Sequence, residues 1–141
     1  MAVVCDTGGV YALYDADDAH HAAVKVVVET EPGALLLPTV LLAEIDYLLN
    51  TRLGADATLD FLASVEAGAF TLVELTPKDL MRCRELVHQY RDLRLGLADA
   101  SVIAIAERLR VQRILTVDQR HFRTVNPSGF SHFILLPADF E

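Results

Sequence analysis

Five short apolar segments, separated by stretches with helical periodicity, constrain the fold of this chain more than any other feature. The segments span residues 2–6, 34–37, 71–75, 113–117 and 133–136. Short, mainly apolar runs of this kind are typical of strands that are buried on both faces of a parallel sheet. Parallel strands need crossover connections, which are usually helices.

Helical stretches fill the intervals between those segments. They are predicted near residues 10–16, 18–30, 39–53, 56–67, 77–91 and 97–110. Two of them have clear start signals, Pro38-Thr39 and Thr76-Pro77, where threonine can cap a helix and proline suits its first turn. Strands that alternate with helices predict a layered α/β fold, and no linker interrupts it. We therefore expect a single domain over residues 1–141.

Composition narrows the class of protein. The chain is 52% hydrophobic, with a mean hydropathy of +0.32, which is enough for a sizeable core. No apolar run reaches the ~20 residues of a membrane span, and the early acid Asp6 does not suit a signal peptide. We expect a soluble, cytoplasmic protein. Cys5 and Cys83 lack zinc-site spacing and are predicted to be buried.

Charge is distributed unevenly along the chain. The net charge is −8, but residues 1–77 hold twelve acids and two basic residues, whereas residues 78–141 hold eight acids and ten basic residues. A basic surface able to bind nucleic acid is therefore possible in the second part. Its candidate residues are Arg82, Arg84, Arg91, Arg94, Arg108, Arg110, Arg113, Arg120 and Arg123. The alternative is that these arginines are solvated or paired with Glu85, Asp92 and Glu107.

Two aspartates follow strand-like segments directly. Asp6 ends the first segment and Asp118 ends the fourth. Sites in parallel sheets lie at the carboxyl ends of strands, so both positions favour function. The alternative for each is an Asx-turn or a helix cap, and Thr7-Gly8-Gly9 predicts an immediate turn after Asp6.

Two further acids lie in predicted helices. Asp99 precedes Val102, Ile103 and Ala106, which form the apolar stripe of its own helix, so its carboxylate is predicted to face the core. An N-cap role is the alternative. Glu44 lies beside an apolar stripe, and Asp46 faces about 200° around the same helix; periodicity does not choose between these two.

Ionised carboxylates gathered at the edge of a core repel each other and lose solvation, so a bound cation or protonation is expected. Other motifs are weaker. His20, His21 and His88 have no second ligand at metal spacing. His121, three residues after Asp118, could approach the pocket, but one imidazole without a partner does not establish an acid or a base. The sequence contains no GxSxG, GxxxxGK[ST] or GxGxxG motif.

Four motifs in order resemble those of a PIN domain, and more narrowly the VapC-type toxin ribonucleases of toxin–antitoxin pairs. They are Asp6-Thr7, Leu42-Ala43-Glu44-Ile45-Asp46, Leu95-Gly96-Leu97-Ala98-Asp99-Ala100 and Leu115-Thr116-Val117-Asp118-Gln119-Arg120-His121-Phe122. The resemblance covers essentially the whole chain. It implies a three-layer fold, with a central parallel sheet of about five short strands and helices on both faces. It also implies a Mg²⁺ site, or a Mn²⁺ site, at the strand ends.

The resemblance assigns the four acids of that site to Asp6, Glu44, Asp99 and Asp118, and so selects Glu44 over Asp46. Asp6 and Asp99 are expected to contact the metal directly, whereas Glu44 and Asp118 would hold coordinated waters or a second ion. Thr7 and Arg120 would support them.

The implied activity is endonucleolytic hydrolysis of RNA by a metal-activated water, leaving a 5′-phosphate. The arginines of the second part would hold single-stranded RNA loops. The resemblance further implies a homodimer and a cognate antitoxin whose tail occupies the pocket.

Two other functions stay open. A catalytically inactive PIN-like module would bind RNA or protein without cutting, and metal-dependent cleavage would distinguish the enzyme from it. A phosphoacceptor domain of receiver type would need a lysine after a late strand, but the lysines are Lys25 and Lys78.

Overall fold

Five parallel strands form one sheet at the centre of the protein, in a computed structural model that describes residues 2–141. Their order in the sheet is β3-β2-β1-β4-β5. The strands are β1 Ala2–Cys5, β2 Ala34–Pro38, β3 Thr71–Val73, β4 Arg113–Leu115 and β5 Ile134–Leu136. All five predicted strands and the α/β fold class are thus confirmed, with ends that differ by one or two residues.

Seven α-helices connect or flank the strands. They are α1 Thr7–Tyr14, α2 His21–Thr30, α3 Leu42–Leu53, α4 Ala55–Glu66, α5 Pro77–Gln89, α6 Leu97–Leu109 and α7 Gln119–Thr124. Short 3₁₀ turns cover Thr39–Leu41 and Arg91–Leu93. Within residues 2–141, no helix has the length and apolar character needed to cross a membrane.

The strand order brings the ends of β1 and β4 together. The chain leaves β1 towards β2 on one side and returns later to β4 on the other, with Val4 beside both Leu36 and Ile114. Such a reversal of strand order opens a crevice at the carboxyl edge of a parallel sheet. Both Asp6 and Asp118 follow strands that border this crevice.

The core covers both faces of the sheet. Successive residues of a strand point to opposite faces, and Val3, Val4 and Cys5 are all fully buried. Helix α6 packs on β1 and β2 and is buried continuously from Ala100 to Ala106. Cys5 and Cys83 are buried free thiols, as predicted.

Helix α1 begins three residues earlier than the sequence predicts, and the turn expected at Thr7-Gly8-Gly9 is wrong. Glycine is required at these two helical positions because the helix passes very close to the end of β4 and to Val117. A Cβ on Gly9 would lie 2.6 Å from the Leu115 carbonyl oxygen, and one on Gly8 would lie 2.9 Å from Val117 Cγ2. The glycines therefore serve a close approach, not a turn.

Helix α7 is absent from the sequence prediction. It has six residues, too few for a clear apolar period. Its N-cap is Asp118, whose carboxylate accepts a hydrogen bond of 3.4 Å from the His121 backbone amide. The capping alternative for Asp118 is thus confirmed, and the same helix brings the His121 side chain to the sheet edge.

Candidate metal centre

Three of the predicted acids meet at the carboxyl edge of the sheet. Asp6 follows β1, and its amide donates a hydrogen bond of 2.9 Å to the Leu115 carbonyl of β4. Asp118 follows β4, and Asp99 lies in the first turn of α6. The negative charges of Asp99 and Asp118 both act on the Asp6 carboxyl, so the three side chains share one electrostatic site.

Asp6 is the most deeply buried member of this group, with 5% of its surface exposed. Burial raises the pKa of its carboxyl to about 7, and the neighbouring charge of Asp99 adds to the effect. A hydrogen bond of 2.8 Å from the Thr116 hydroxyl to Asp6 Oδ2 partly offsets this rise in pKa. Asp6 occupies the N-cap position of α1, as the capping alternative allowed, but its side chain makes no capping hydrogen bond to that helix.

Asp99 is half-buried, and its N-cap alternative is wrong. Gly96 is the N-cap of α6, and Asp99 is the third residue of the helix, within its first turn. Burial raises the pKa of the Asp99 carboxyl, the contact with His121 lowers it, and the charges of Asp118 and Glu44 raise it further. The apolar stripe that follows Asp99 is buried, as its periodicity predicts.

Glu44 belongs to the same electrostatic site. It lies in the first turn of α3, is exposed, and its charge raises the pKa of Asp99. Asp46 is half-buried and is not among the main charges that act on Asp6 or Asp99. The electrostatics of the site therefore favour Glu44, which the sequence pattern alone did not.

Thr116 is a site residue that the sequence analysis missed. Its hydroxyl donates to Asp6 Oδ2 and accepts a hydrogen bond of 3.0 Å from the Asp118 amide. It is 1% exposed, so it fixes the end of β1 to the turn after β4 inside the protein. A polar residue in the apolar run two positions before Asp118 was the available signal.

His121 lies between two of the acids, although its sequence neighbours suggested no partner. Its Nδ1 lies 2.6 Å from Asp99 Oδ2 and 3.2 Å from Asp118 Oδ2. One ligand atom from each of these three residues lies within 4.8 Å of the others, which is close enough to share a metal ion.

The donor set fits a hard divalent cation. Carboxylate oxygens are the ligands that Mg²⁺ and Mn²⁺ prefer, and the repulsion among these acids is a cost that a cation removes. A second feature points the same way. The Thr7 hydroxyl, next to Asp6, is buried without a hydrogen-bond partner in the described chain, and a buried polar atom normally has one.

Four of the nine arginines of the second part are paired with acids. The pairs are Arg82 with Glu85 and Glu107, Arg108 with Asp79, Arg113 with Glu31, and Arg123 with Asp139. The pairing alternative is correct for these four, although Asp92 takes no part in an ion pair among residues 2–141. Arg120 is exposed, and no carboxylate of the described chain forms an ion pair with it.

Comparison with known proteins identifies the family of the chain. The family model described as PIN domain matches residues 3–126. Ribonuclease VapC26 of Mycobacterium tuberculosis is 36% identical over 135 residues, which are 96% of this chain and 100% of that protein.

Solved structures share the fold. VapC20 of Mycobacterium tuberculosis, described as a sarcin–ricin loop cleaving toxin, matches with a TM-score of 0.78 and 22% identity, over 84% of this chain and 92% of that one. A toxin–antitoxin complex from Klebsiella pneumoniae matches with a TM-score of 0.69 and 16% identity, covering 94% and 99% of the two chains. VapBC2 of Rickettsia felis, bound to a DNA fragment from its promoter, matches with a TM-score of 0.68 and 12% identity over 96% and 97%. With a family match over most of its length and a full-length relative above 30% identity, the chain belongs to the PIN domain family, alongside the VapC ribonucleases.

Proposed function

We propose that this chain is a divalent-metal-dependent endoribonuclease that acts as the toxin of a toxin–antitoxin pair. The observation that carries the proposal is the meeting of Asp6, Asp99 and Asp118 at the sheet edge, where no arginine or lysine among residues 2–141 forms an ion pair with them. Uncompensated acids at this position favour a cation site.

Asp6 and Asp99 are the proposed direct ligands, because they are the most buried of the acids and both have raised pKa values. Glu44 and Asp118 are more exposed, which suits acids that hold coordinated waters or a second ion. Thr116 is a positioning residue, since its hydroxyl fixes Asp6 relative to Asp118.

When bound, a Mg²⁺ or Mn²⁺ ion supplies a more acidic coordinated water and positive charge beside the phosphate oxygens. Glu44 or Asp118 orients the attacking water and accepts its proton. The new bond joins the water oxygen to phosphorus, and the bond from phosphorus to the 3′-oxygen breaks. The products are a 5′-phosphate and a 3′-hydroxyl.

The charge of the site makes RNA binding depend on the cation too. Four carboxylates repel a phosphodiester at short distance, so RNA binds once a cation has neutralised their charge. Arg120 is exposed and adjacent to His121, and is a proposed contact to the RNA backbone. Single-stranded loops are the proposed targets, because their bases are accessible. Because the proposed substrate is cellular RNA, the proposed place of action is the cytoplasm.

The similar proteins indicate the class of the proposed partner. VapC26 is named a ribonuclease, and the matched structures from Klebsiella pneumoniae and Rickettsia felis are toxin–antitoxin complexes. We propose that a cognate antitoxin inhibits this chain by placing a basic side chain among the site acids, where it would form charge-assisted hydrogen bonds. A homodimer is proposed as the active form.

Cleavage of total cellular RNA tests the proposed function. The purified chain is incubated with EDTA, Mg²⁺ or Mn²⁺, beside Asp99→Asn and the control Asp46→Asn, each checked for its fold. We expect discrete fragments with 5′-phosphates, dependent on metal, lost in Asp99→Asn and retained in Asp46→Asn. Intact RNA that the wild type still binds would favour the non-cutting binding module.

A further inference from the structure

The imidazole of His121 contacts two acids of the candidate metal centre, Asp99 and Asp118. Its Nδ1 is 2.6 Å from Asp99 Oδ2 and 3.2 Å from Asp118 Oδ2. Ligands at about 2.1 Å from a cation, at right angles to one another, lie roughly 3 Å apart. The two observed distances lie on either side of this value, so Nδ1 has the spacing of a neighbouring ligand in one octahedral shell to each of the two carboxylate oxygens.

We infer that His121 binds the divalent cation directly through Nδ1, together with Asp99 and Asp118, and that this nitrogen ligand favours Mn²⁺ over Mg²⁺ at the site. The inference rests on the proposed function for the presence of the cation, and it adds a ligand that the four-acid assignment does not contain.

The environment of the imidazole suits a ligand better than a side chain that only orients an acid. An orienting histidine donates one N–H to one carboxylate, whereas His121 Nδ1 lies close to carboxylates from two elements. Within residues 2–141, Nε2 has no hydrogen-bond partner, so it can carry the ring proton and leave the Nδ1 lone pair for a metal.

The position of His121 is also set by the fold. Its backbone amide donates to Asp118 Oδ1, which places it in the first turn of α7. The side chains of His121 and Asp99 are each 19% exposed, so they are accessible from solvent yet held in place. A cation can therefore reach this group without opening the core.

Ligand chemistry determines which of the two ions the site binds more tightly. Mg²⁺ prefers oxygen ligands and keeps several waters, whereas divalent transition metals accept imidazole nitrogen. One nitrogen in an otherwise oxygen-rich shell therefore raises the affinity for Mn²⁺ relative to Mg²⁺. The Thr7 hydroxyl and the carboxylates suit either ion and do not change this order.

Pulsed electron paramagnetic resonance of Mn²⁺ bound to the full chain tests the inference without any cleavage assay. We expect ¹⁴N modulation from a directly bound imidazole, and its replacement by the ¹⁵N pattern when the protein contains ¹⁵N-histidine. The signal should vanish in His121→Asn and persist in His88→Asn. Asparagine is chosen because its amide can still donate to Asp99 but provides no imidazole nitrogen.

Competition between the two ions provides a second measurement. Mg²⁺ titrated against bound Mn²⁺ should displace it at least about tenfold more readily in His121→Asn than in wild type or His88→Asn. If the variant does not fold, the isotope comparison on the unaltered chain decides the result. Mn²⁺ bound without histidine coupling overturns the inference and leaves the proposed function standing; absence of any Mn²⁺ or Mg²⁺ binding overturns both.

Discussion

Asp6 and Asp79 are equally buried aspartates with opposite electrostatic surroundings. Their exposed fractions are 5% and 3%, yet the pKa of the Asp6 carboxyl is raised and that of Asp79 is lowered. Burial raises both pKa values, but at Asp79 hydrogen bonds from Arg108 and Thr76 outweigh it. Asp79 Oδ2 accepts a 2.9 Å hydrogen bond from the Thr76 amide in a capping box, and Arg108 Nε donates to both of its oxygens at 3.1 Å.

Other buried acids resemble Asp79. The side chain of Glu31 is 1% exposed and pairs with Arg113, and that of Glu107 is 9% exposed and pairs with Arg82. The chain therefore supplies a cation for buried carboxylates where they serve the fold. At the sheet edge no arginine or lysine among the described residues pairs with Asp6, Asp99 or Asp118, and only the His121 imidazole contacts the last two. This difference separates structural acids from the candidate metal ligands.

The largest expected difference is in activity. Asp6→Asn should lower metal-dependent RNA cleavage on the order of 10²–10³-fold, because a ligand for the charge-stabilising cation is lost. Asp79→Asn should leave the activity of folded molecules unchanged, since the Asp79 side chain forms hydrogen bonds with Arg108 and Thr76 and with none of the site acids. Initial rates at equal concentrations of folded protein make the measurement. Equal losses in the two variants would remove the distinction.

Removing the cation beside Asp79 should destabilise the fold. Arg108→Met leaves Asp79 buried and uncompensated, and we expect a loss of roughly 2–3 kcal/mol in the free energy of unfolding, because Arg108 is 35% exposed and partly screened. Urea unfolding measures this loss. Arg110→Met, at an arginine with no ion pair in residues 2–141, is the control and should change stability by less than about 0.5 kcal/mol. An unchanged midpoint in Arg108→Met would contradict the structural role of the pair.

Replacing Asp6 should stabilise the metal-free protein at alkaline pH. The folded pKa of about 7 exceeds the ordinary value of 3.8, so the ionised carboxylate weakens folding above pH 7, and this penalty disappears as the pH falls towards 4. Asp6→Asn should therefore gain free energy of unfolding at pH 8, by at most about 4 kcal/mol for the full difference in pKa, and far less at pH 4.

Asp79→Asn provides the opposite pH profile. Its lowered pKa contributes stability that is present above the unfolded pKa and lost as the pH falls, so its variant should be less stable than wild type at pH 8. Denaturation in EDTA from pH 4 to pH 8 compares the two. Parallel profiles for both variants would refute the contrast between the two aspartates.

The smallest expected effect is stabilisation by metal. At a concentration ten times its dissociation constant, Mg²⁺ or Mn²⁺ should raise the free energy of unfolding by about 1.4 kcal/mol at pH 8. At pH 5 the gain should fall, since protons compete for Asp6. Asp79→Asn should respond like wild type, and Asp6→Asn much less. Thermal melts with and without metal give the values, and an equal gain in both variants would place the cation elsewhere.

Local patterns predicted much of this fold. Runs such as Val3-Val4-Cys5 identified the strands, and Thr76-Pro77 marked the start of α5. The errors have a common physical cause. Gly8 and Gly9 have low helix propensity, yet they lie in α1, and glycine is needed there because Leu115 and Val117 leave no space for a larger residue. Such a long-range constraint is not visible in local sequence.

The candidate site was also predicted only in part, because some of its contacts join residues far apart in the sequence. The acids were identified from strand ends, helix periodicity and resemblance to a family, and the structure brings their charges together. The bond between Thr116 and Asp6 joins residues 110 positions apart, and the partners of His121 depend on a helix that periodicity did not detect. The ion pairs Arg113–Glu31 and Arg123–Asp139 also join residues that are not neighbours in the sequence, so local patterns do not predict them.

The close approach of α1 to β4 has a consequence for mutational scanning. Any side chain at Gly9 would meet the Leu115 backbone at 2.6 Å, so a growth-based screen should record this position as intolerant, as it would Asp6. The reasons differ: excess volume lowers the amount of folded protein, whereas loss of the carboxylate leaves abundant inactive protein. Parallel measurement of protein abundance and toxicity would therefore distinguish positions at the sheet edge that must be small from positions whose side chain takes part in the chemistry.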